Sequence, residues 1–429
     1  MQPKRCTFRM KGICELSSNT NEEIYVGIDV GTTKVATVIG LKEPNSPGLS
    51  VIGVGRAKNS GVFKGTVKDI EETVTAIITS IEEAERMAGN NIRQVTLGLN
   101  GSGIATAHAN GVVAVSRADQ QVTITDVNRA IDQAKATALP PSNREVITIL
   151  PRHFKLDDHE ITKDPVGMKG IKLEAQTLVI SGVTQAIKNL DNVVRQAGVA
   201  VEGRVLNPLA AAKSVLTKQQ KELGCVVVDI GGGTTTLAVF EEGELIHLAV
   251  IPVGSASITN DLAIGLRTSI EIAEKIKLKH GFAPGTKKIE KGDTFKVDEL
   301  EESDNEVSIK EFAFILDARL DEIFALVAAE LGRIGKQDKL PGGAILTGGG
   351  ANLAGIESYA KEKLKLPTTK GRAQETAGLV DKVADPGMAV AVGLMLMSAS
   401  GEQAGFKGAN ESIGKAVDKL RLIFKKFLP

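Results

Sequence analysis

The chain has 429 residues, which is enough for two to four structural units with hydrophobic cores of their own. Its 52 basic residues balance its 52 acidic residues, so there is no whole-protein field to steer nucleic acid, and with no Trp and only 3% aromatic residues no stacking platforms for it are visible. The composition therefore predicts that nucleic acid is not a partner. The three cysteines lack metal-ligand spacing and suit a reducing compartment, and Cys225 is expected to be a buried structural thiol.

The start of the chain is not expected to be a secretory signal. Residues 1–21 are polar and mildly basic without an apolar stretch, so we expect a disordered lead-in. No apolar run of about 18 residues follows anywhere, so no membrane-spanning helix is expected.

The first strong pattern occupies residues 27–40 (GIDVGTTKVATVIG). An apolar strand ends in Asp29, a tight Gly/Thr turn follows, and a second apolar strand leaves the turn. Residues 67–88 then show apolar positions at helical spacing. Strand and helix signals with proline breaks over residues 92–173 predict an inserted subdomain, and residues 174–206 return to a strand–helix–strand pattern.

The same turn pattern returns at residues 227–240 (VVDIGGGTTTLAVF), where Asp229 takes the place that Asp29 holds 200 residues earlier. A spacing this large predicts a duplicated domain rather than a short-period repeat. The alternation of strands and helices along the chain predicts an α/β architecture with mixed sheets covered by helices.

Both turns consist of residue types that bind phosphate. Glycine lets the backbone approach an anion, successive N–H groups form a nest, and threonine hydroxyls can donate to the same oxygens. A hairpin closed by glycine would explain one such turn, but a second copy favours a phosphate site. The candidate phosphate ligands are Gly31, Thr32, Thr33, Gly231, Gly232, Gly233, Thr234 and Thr235. The sequence has neither a Walker-type motif nor a dinucleotide-binding glycine motif.

The two acidic residues imply a cation. Asp29 and Asp229 would repel phosphate groups unless Mg²⁺ lies between, and water molecules would bridge them to the ion because Mg²⁺ sheds its hydration shell reluctantly. Asp229 either orients an attacking water as a catalytic residue or only positions the metal. Lys34, beside the first turn, is a further candidate phosphate ligand, with a surface lysine at a strand edge as the alternative.

A third glycine cluster lies late in the chain. Gly348, Gly349 and Gly350, with Asn352, follow the apolar strand AILT and precede a helix, an arrangement that suits close approach by a ligand. The charged residues 282–309 before it read as loops and short strands. A long helix is predicted over 310–332 and an apolar helix over 387–398.

This order of two phosphate turns and a late glycine turn resembles the actin, Hsp70 and sugar-kinase superfamily. The resemblance implies two α/β domains that close on ATP and Mg²⁺. It also implies that Glu274 binds the ribose hydroxyls and that Lys277 packs near the base. From the residues alone, both are charges on a solvated helix face.

Within that superfamily the chain resembles the FtsA family of bacterial cell division proteins, in the stretches GVFKGTVKDI, IRQVTLGLNGSGI, ITILPRHFKLDD and GAILTGGGANLAGIE. The N-terminal extension is unusual, and the acidic loop near residues 288–306 carries no family motif. The resemblance implies an actin-like ATPase fold of two duplicated domains, with an FtsA-type inserted subdomain and a C-terminal amphipathic helix. The expected units are a first core domain (22–91, 174–207 and 385–398), the inserted subdomain (92–173), a second core domain (208–265 and 319–384), an outer subdomain (266–318), a linker (399–412) and the terminal helix (413–429).

The predicted terminal helix has two unlike faces. On a helical wheel its large apolar side chains fall on one arc and its basic side chains outside it, with Leu422 the one misplaced residue. The apolar set is Ile413, Val417, Leu420, Ile423, Phe424, Phe427 and Leu428, and the basic set includes Lys419, Arg421, Lys425 and Lys426. The pattern favours an interfacial helix on an anionic membrane over a helix docked on the protein's own core. One tail would attach reversibly, and several tails on one polymer far more firmly.

The leading hypothesis, by resemblance, is a protein at the division site on the cytoplasmic face of the cell membrane. It would bind ATP, polymerise with itself, and tether FtsZ by taking the FtsZ C-terminal peptide on the outer subdomain. The inserted subdomain would face later division proteins or the next protomer. A sugar or acetate kinase and a PilM-like pilus scaffold are the alternatives, and turnover of ATP is left open, with weak activity at most.

Overall fold

The structure, a computed structural model, describes residues 23–43, 48–138, 140–158, 160–285, 290, 292–297, 306–374 and 376–401. Residues 1–21, expected to be a disordered lead-in, and the whole predicted amphipathic helix over 413–429 lie outside the described residues. So does the predicted linker beyond residue 401.

The first half of the chain begins with three antiparallel strands and a helix packed on them. The elements are β1 (Glu23–Val30), β2 (Lys34–Lys42), β3 (Leu49–Lys58), the short hairpin β4 (Val62–Phe63) and β5 (Thr66–Val67), α1 (Ile70–Ala88) and β6 (Gln94–Leu99). Helix α1 begins where the Asp69 carboxylate accepts the N–H of Glu72, and it ends at Gly89, which has φ 69°. The predicted helix over 67–88 is therefore confirmed, three residues shorter at its start.

An inserted unit follows. Its elements are β7 (Ala105–Ala114), α2 (Ile124–Thr137), β8 (Arg144–Leu156), β9 (Glu160–Thr162) and β10 (Lys172–Val183). The strands form one antiparallel sheet in the order β7-β10-β8-β9, and α2 packs on one of its faces. This arrangement differs from the predicted boundaries of 92–173. Strand β6 pairs in parallel with β1 and belongs to the first sheet, whereas β10 lies inside the sheet of the insert.

The chain then returns to the first half and crosses into the second. The elements are α3 (Thr184–Gln196), β11 (Ala200–Leu206), α4 (Asn207–Val215), α5 (Lys218–Leu223), β12 (Cys225–Ile230), β13 (Thr235–Glu241), β14 (Glu244–Ile251), α6 (Ser255–Gly265) and α7 (Ile270–His280). Cys225 is a buried free thiol, as predicted, and burial raises its pKa to about 12.

The last third completes the second half and ends back in the first. The elements are β15 (Thr294–Lys296), β16 (Glu306–Ser308), α8 (Ile309–Arg333), β17 (Ala344–Thr347), α9 (Ile356–Leu364), β18 (Thr368–Lys370), β19 (Thr376–Gly378), α10 (Val380–Val383) and α11 (Ala389–Ser400). The predicted helices over 310–332 and 387–398 correspond to α8 and α11. Strand β19 pairs with β3, so residues 376–378 join the first sheet rather than the second core domain, where the sequence had placed them.

The two halves share one topology. The first sheet has the order β11-β6-β1-β2-β3-β19, and the second has β18-β17-β12-β13-β14 when read in the same direction. In each sheet three antiparallel strands lead in, and two later strands add in parallel on the side of the first strand. The predicted duplication and the mixed α/β class are confirmed.

Helices α4 and α11 cross at close range between the halves. A Cβ on Gly393 would lie 1.8 Å from the carbonyl oxygen of Ala210, and one on Gly27 would lie 2.3 Å from that of Ala391. Only glycine permits such an approach. Residues 389–398 of α11 are all buried, which explains why this helix is apolar on every side.

Candidate functional site

The two Gly/Thr turns are alike in their hydrogen bonds. The N–H of Gly31 donates to the carbonyl of Lys34 at 2.9 Å, and the N–H of Gly231 donates to the carbonyl of Thr234 at 2.9 Å. The turns also face each other across the halves. A Cβ on Gly232 would lie 2.6 Å from Cγ2 of Thr33, so glycine is needed there for the close approach.

Helix α6 holds the second turn in place. The N–H groups of Ser255 and Ala256 donate to the carbonyls of Gly231 and Gly232, each at 2.8 Å. Within the described residues, the N–H groups of Gly232 and Gly233 have no hydrogen-bond partner in the protein. The turn therefore keeps two adjacent donors for an anion, as a phosphate nest requires.

A cavity of about 310 Å³ lies between the halves, and almost every predicted site residue lines it. The lining residues that the sequence had singled out are Asp29, Gly31, Thr32, Thr33, Lys34, Asp229, Gly231, Gly232, Gly233, Thr234, Glu274, Lys277, Gly348, Gly349, Gly350 and Asn352. Thr235 does not line the cavity. It is fully buried as the first residue of β13, and its hydroxyl donates to the carbonyl of Val253 at 2.8 Å.

The two acidic residues lie at equivalent ends of β1 and β12 and face the same cavity. Burial raises the pKa of Asp29, although a hydrogen bond from Asn207 and the charge of Lys34 oppose this shift. Burial and then the charge of Asp29 raise the pKa of Asp229 to about 7. Two buried carboxylates that face one cavity, one of which raises the pKa of the other, favour a cation between them.

The side-chain oxygen atoms at this site fit a Mg²⁺ ion that keeps water molecules in its coordination shell. The Oδ1 atom of Asn207, which also lines the cavity, is buried without a hydrogen-bond partner in the described part of the chain. A buried polar oxygen of this kind needs a donor such as an ordered water. No group of three or more His, Cys, Asp and Glu side chains that could hold a metal ion occurs among the described residues.

Lys34 lies in the cleft rather than on a surface strand edge. Its amino group is near Gly387, where an added Cβ would lie 2.4 Å away. Burial lowers the pKa of Lys34, and the Asp385 carboxylate offsets part of this shift.

Asp385 was not singled out from the sequence. Its carboxylate accepts from Asn352 at 2.8 Å and from the Arg56 guanidinium at 2.9 Å. Burial alone would raise the pKa of Asp385, but the bonds from Asn352 and from the N–H of Gly387 lower it. One carboxylate thus ties the late glycine turn to strand β3 of the first half.

Asn100 and Asn207 were also missed. Asn207, the first residue of α4, donates to Oδ1 of Asp29 at 2.8 Å, and Asn100 donates to Oγ1 of Thr234 at 3.1 Å. Both residues line the cavity. A signal existed for one of them, because Asn207-Pro208 at the start of α4 repeats as Asp385-Pro386 before α11.

The late glycine turn closes another side of the cavity. Gly348 has φ 83°, and a Cβ there would lie 2.5 Å from Oδ1 of Asp229. Gly349, by contrast, has nothing within 4 Å of an added Cβ. A 3₁₀ turn over Gly349–Asn352 follows the glycines, and the predicted helix begins only at Ile356.

Glu274 and Lys277 lie on α7 and complete the site. They form an ion pair of 2.6 Å, in which the Lys277 side chain is 10% exposed and the Glu274 side chain 40%. Neither is a charge on a freely solvated face, because both contact residues of α6.

Two family models match the chain. The one described as "Cell division protein FtsA" matches residues 226–393, and the one described as "SHS2 domain inserted in FTSA" matches residues 101–181. The second range follows the observed sheet of the insert rather than the predicted 92–173.

Several relatives match over most of their length. The chain is 38% identical over 383 residues to cell division protein FtsA of Pseudomonas aeruginosa, covering 89% of this chain and 90% of that protein. It is 36% identical over 399 residues to the Bacillus subtilis protein of the same name, covering 92% and 88%. The Escherichia coli protein is 31% identical over 419 residues, covering 95% and 99%.

Solved structures share the fold at low identity. The chain superposes with a TM-score of 0.63 on the PilM-PilN type IV pilus biogenesis complex, at 15% identity over 87% of this chain and 98% of that one. MreB5 of Spiroplasma citri bound to ADP gives 0.52 at 15% identity, covering 88% and 96%. These likenesses confirm the predicted actin-like ATPase fold. No helix among the described residues is long and apolar enough to span a membrane.

Proposed function

Because the chain belongs to the FtsA family of cell division proteins, we propose that it binds ATP with Mg²⁺ in the cleft between its two halves. The cavity that both phosphate turns, both acidic residues and the late glycine turn share is the observation that carries this proposal. A volume of about 310 Å³ is at the lower end of the range of small-molecule sites, which suits a cleft that closes on its ligand.

Each part of the site would take one part of the ligand. The free N–H groups of Gly232 and Gly233 and the Thr32 and Thr234 hydroxyls would hold the phosphates. Asp29 and Asp229 would hold Mg²⁺ through water, and the ion would offset the burial of both carboxylates and the repulsion by Asp29 that raises the pKa of Asp229. The adenosine would lie between Gly349 and α7.

ATP would act mainly as a conformational ligand. Its contacts reach both halves, so bound nucleotide stabilises the closed arrangement of the halves. Asp229 would orient an attacking water for at most slow hydrolysis, or would only position the metal.

For the cellular role, we propose that the protein polymerises and tethers FtsZ filaments to the cytoplasmic face of the membrane at the division site. The outer subdomain would take the FtsZ C-terminal peptide. Its exposed apolar side chains support this, since Ile270 on α7 is 56% exposed and Phe314 on α8 is 74% exposed. The inserted sheet would contact the next protomer or later division proteins.

The membrane contact would come from residues 413–429. Their sequence supports it, because large apolar side chains buried in the interface and basic residues near anionic lipid each contribute, about 1 kcal/mol for each basic residue. The likeness to the pilus complex, at 15% identity, concerns the fold alone. It does not support the pilus-scaffold or kinase alternatives.

Sedimentation with anionic liposomes tests the tether. The full chain is compared with a chain that ends at Gly401, the residue that caps α11, with and without ATP and Mg²⁺. A full-length variant with Leu420→Glu and Phe424→Glu serves as the matched control for the tail. Pelleting of the full chain alone, increased by ATP, supports a membrane-bound polymer. Pelleting of all three chains, or of none, contradicts it.

A further inference from the structure

The nucleotide proposal leaves open what distinguishes a ribonucleotide from a deoxyribonucleotide. The relevant side chains lie on two packed helices of the second half. Ser255 and Thr259 are one turn apart on α6, and Glu274 and Lys277 are one turn apart on α7. These spacings bring the four residues onto facing sides of the two helices.

Thr259 is at the centre of their contacts. Its hydroxyl donates to Oε2 of Glu274 and accepts from the Lys277 ammonium at 2.8 Å. Lys277 also donates to the carbonyl of Ser255 at 3.3 Å and pairs with Oε2 of Glu274 at 2.6 Å. A lysine ammonium has three donors, and these contacts use all three.

The two oxygens of Glu274 are therefore unequal. Within the described residues, Oε2 takes every polar contact of the carboxylate and Oε1 takes none. Glu274 lines the cavity, whereas Thr259 does not and is 3% exposed. The hydroxyl of Thr259 thus acts on the site only through Glu274 and Lys277.

We infer that Thr259 is a positioning residue that makes the cleft selective for ribonucleotides. By fixing Oε2, the Thr259–Lys277 pair leaves Oε1 as a preset acceptor for a sugar hydroxyl. A site built to hydrogen-bond a hydroxyl rejects the analogue that lacks it, because the bound ligand would cover the acceptor and leave it without a partner. The inference rests on the proposed nucleotide binding.

The experiment is calorimetric titration of the full chain with ATP, 2′-deoxyATP and 3′-deoxyATP in the presence of Mg²⁺. The wild type, Thr259→Val and Thr259→Ser are compared. Valine keeps the shape of threonine without its hydroxyl, and serine keeps the hydroxyl. Melting temperatures without nucleotide show that each variant is folded.

We expect the wild type and Thr259→Ser to bind at least one deoxy analogue about tenfold or more weaker than ATP. In Thr259→Val this ratio should fall to within about threefold, while the phosphate turns still hold the nucleotide. A purely structural role for Thr259 would weaken all three ligands equally, and that result would overturn the inference. So would a wild type that binds all three alike. If the wild type binds none of them, the nucleotide proposal itself fails.

Discussion

The Nδ2 atom of Asn100 lies 3.1 Å from Oγ1 of Thr234, so the residue that precedes the insert touches the second phosphate turn. Its Oδ1 atom accepts the N–H of Gly101 at 2.7 Å, which fixes the side chain to the first residue of the insert. Gly101 in turn packs on the backbone of Gly65, whose N–H lies 3.4 Å from the Thr32 hydroxyl of the first phosphate turn. The second turn therefore contacts Asn100 directly, and the first turn reaches Gly101 through Gly65.

We expect Asn100→Ala to weaken ATP binding about three- to tenfold while the protein stays folded, because one hydrogen bond that orients Thr234 is lost. Asn110→Ala is the matched control. That side chain donates to Glu174 on the exposed sheet of the insert, remote from the cavity. Titration calorimetry of both variants checks the prediction, and equal affinities in the two would contradict it.

Asp229→Asn should show whether Asp229 affects ATP binding through the metal ion or directly. With Mg²⁺ present, we expect ATP affinity to fall about 10- to 100-fold, since a charged ligand of the hydrated ion is lost. With EDTA in place of Mg²⁺, the variant should bind ATP at least as well as the wild type, because one of two buried carboxylates that repel phosphate is gone. A loss of the same size in both conditions would mean that Asp229 is structural.

Without nucleotide or Mg²⁺, the same substitution should raise the melting temperature at pH 8. The wild type must then hold an ionised Asp229 beside Asp29 in a buried site, and burial disfavours the charged forms. Differential scanning calorimetry measures this, and a lower melting temperature for the variant would contradict the repulsion.

Two neighbouring glycines of the late turn should respond differently to alanine. Gly348→Ala places a Cβ at φ 83° and 2.4 Å from the carbonyl oxygen of Ile230, so we expect it to destabilise the protein by about 1–3 kcal/mol. Gly349→Ala meets nothing within 4 Å and should melt as the wild type does. If the ligand approaches this turn, Gly349→Ala should still weaken ATP binding, which titration would detect. An unchanged affinity would remove Gly349 from the binding site.

Asp126 in the insert should give a stability that depends on pH. Burial opposes its charge, but hydrogen bonds from Thr123 and Ser116 outweigh burial and lower its pKa to about 2. Because this pKa is depressed, the stabilisation is present above pH of about 4 and is lost as the pH falls towards 2. Asp126→Asn should therefore cost about 1–3 kcal/mol near pH 7 and much less at pH 2.5.

Denaturant unfolding at both pH values measures the effect. Asp132→Asn, an exposed position on the same helix, is the control and should cost little at either pH. A penalty for Asp126→Asn that stays constant between pH 7 and pH 2.5 would show that the charge of Asp126 is not what stabilises the insert.

Much of the fold could be predicted from the sequence because its strongest signals are local. An apolar strand that ends in Asp, with a glycine turn after it, specifies the same hydrogen bond at Gly31 and at Gly231. The boundaries of the insert could not be read in this way. Strands β6 and β10 both read only as strands in the sequence, and only pairing decides that one joins β1 and the other joins β8.

The site residues that were missed act through long-range contacts. Asn207 meets Asp29 across 178 positions, and Asp385 meets Arg56 across 329. The repeated Asn207-Pro208 and Asp385-Pro386 pairs show that these positions are alike, but nothing near them in the sequence shows which residues they contact. Thr235 was wrongly grouped with the phosphate ligands because of a local pattern, the run of neighbouring threonines. Its neighbour Thr234 faces the cleft, and strand alternation turns Thr235 away from it.

Helix α11 runs from the cavity between the halves to the end of the described chain. Its first turn follows Gly387, which lines the cavity between the halves, and its last turn ends at Gly401, from which residues 402–429 continue. A force that pulls on those residues would act on α11, which is buried over 389–398. The force would therefore have to break core packing rather than detach a surface element. Under the proposed function, a pull on the membrane-bound tail would therefore act on the same helix that borders the cleft proposed to bind the nucleotide.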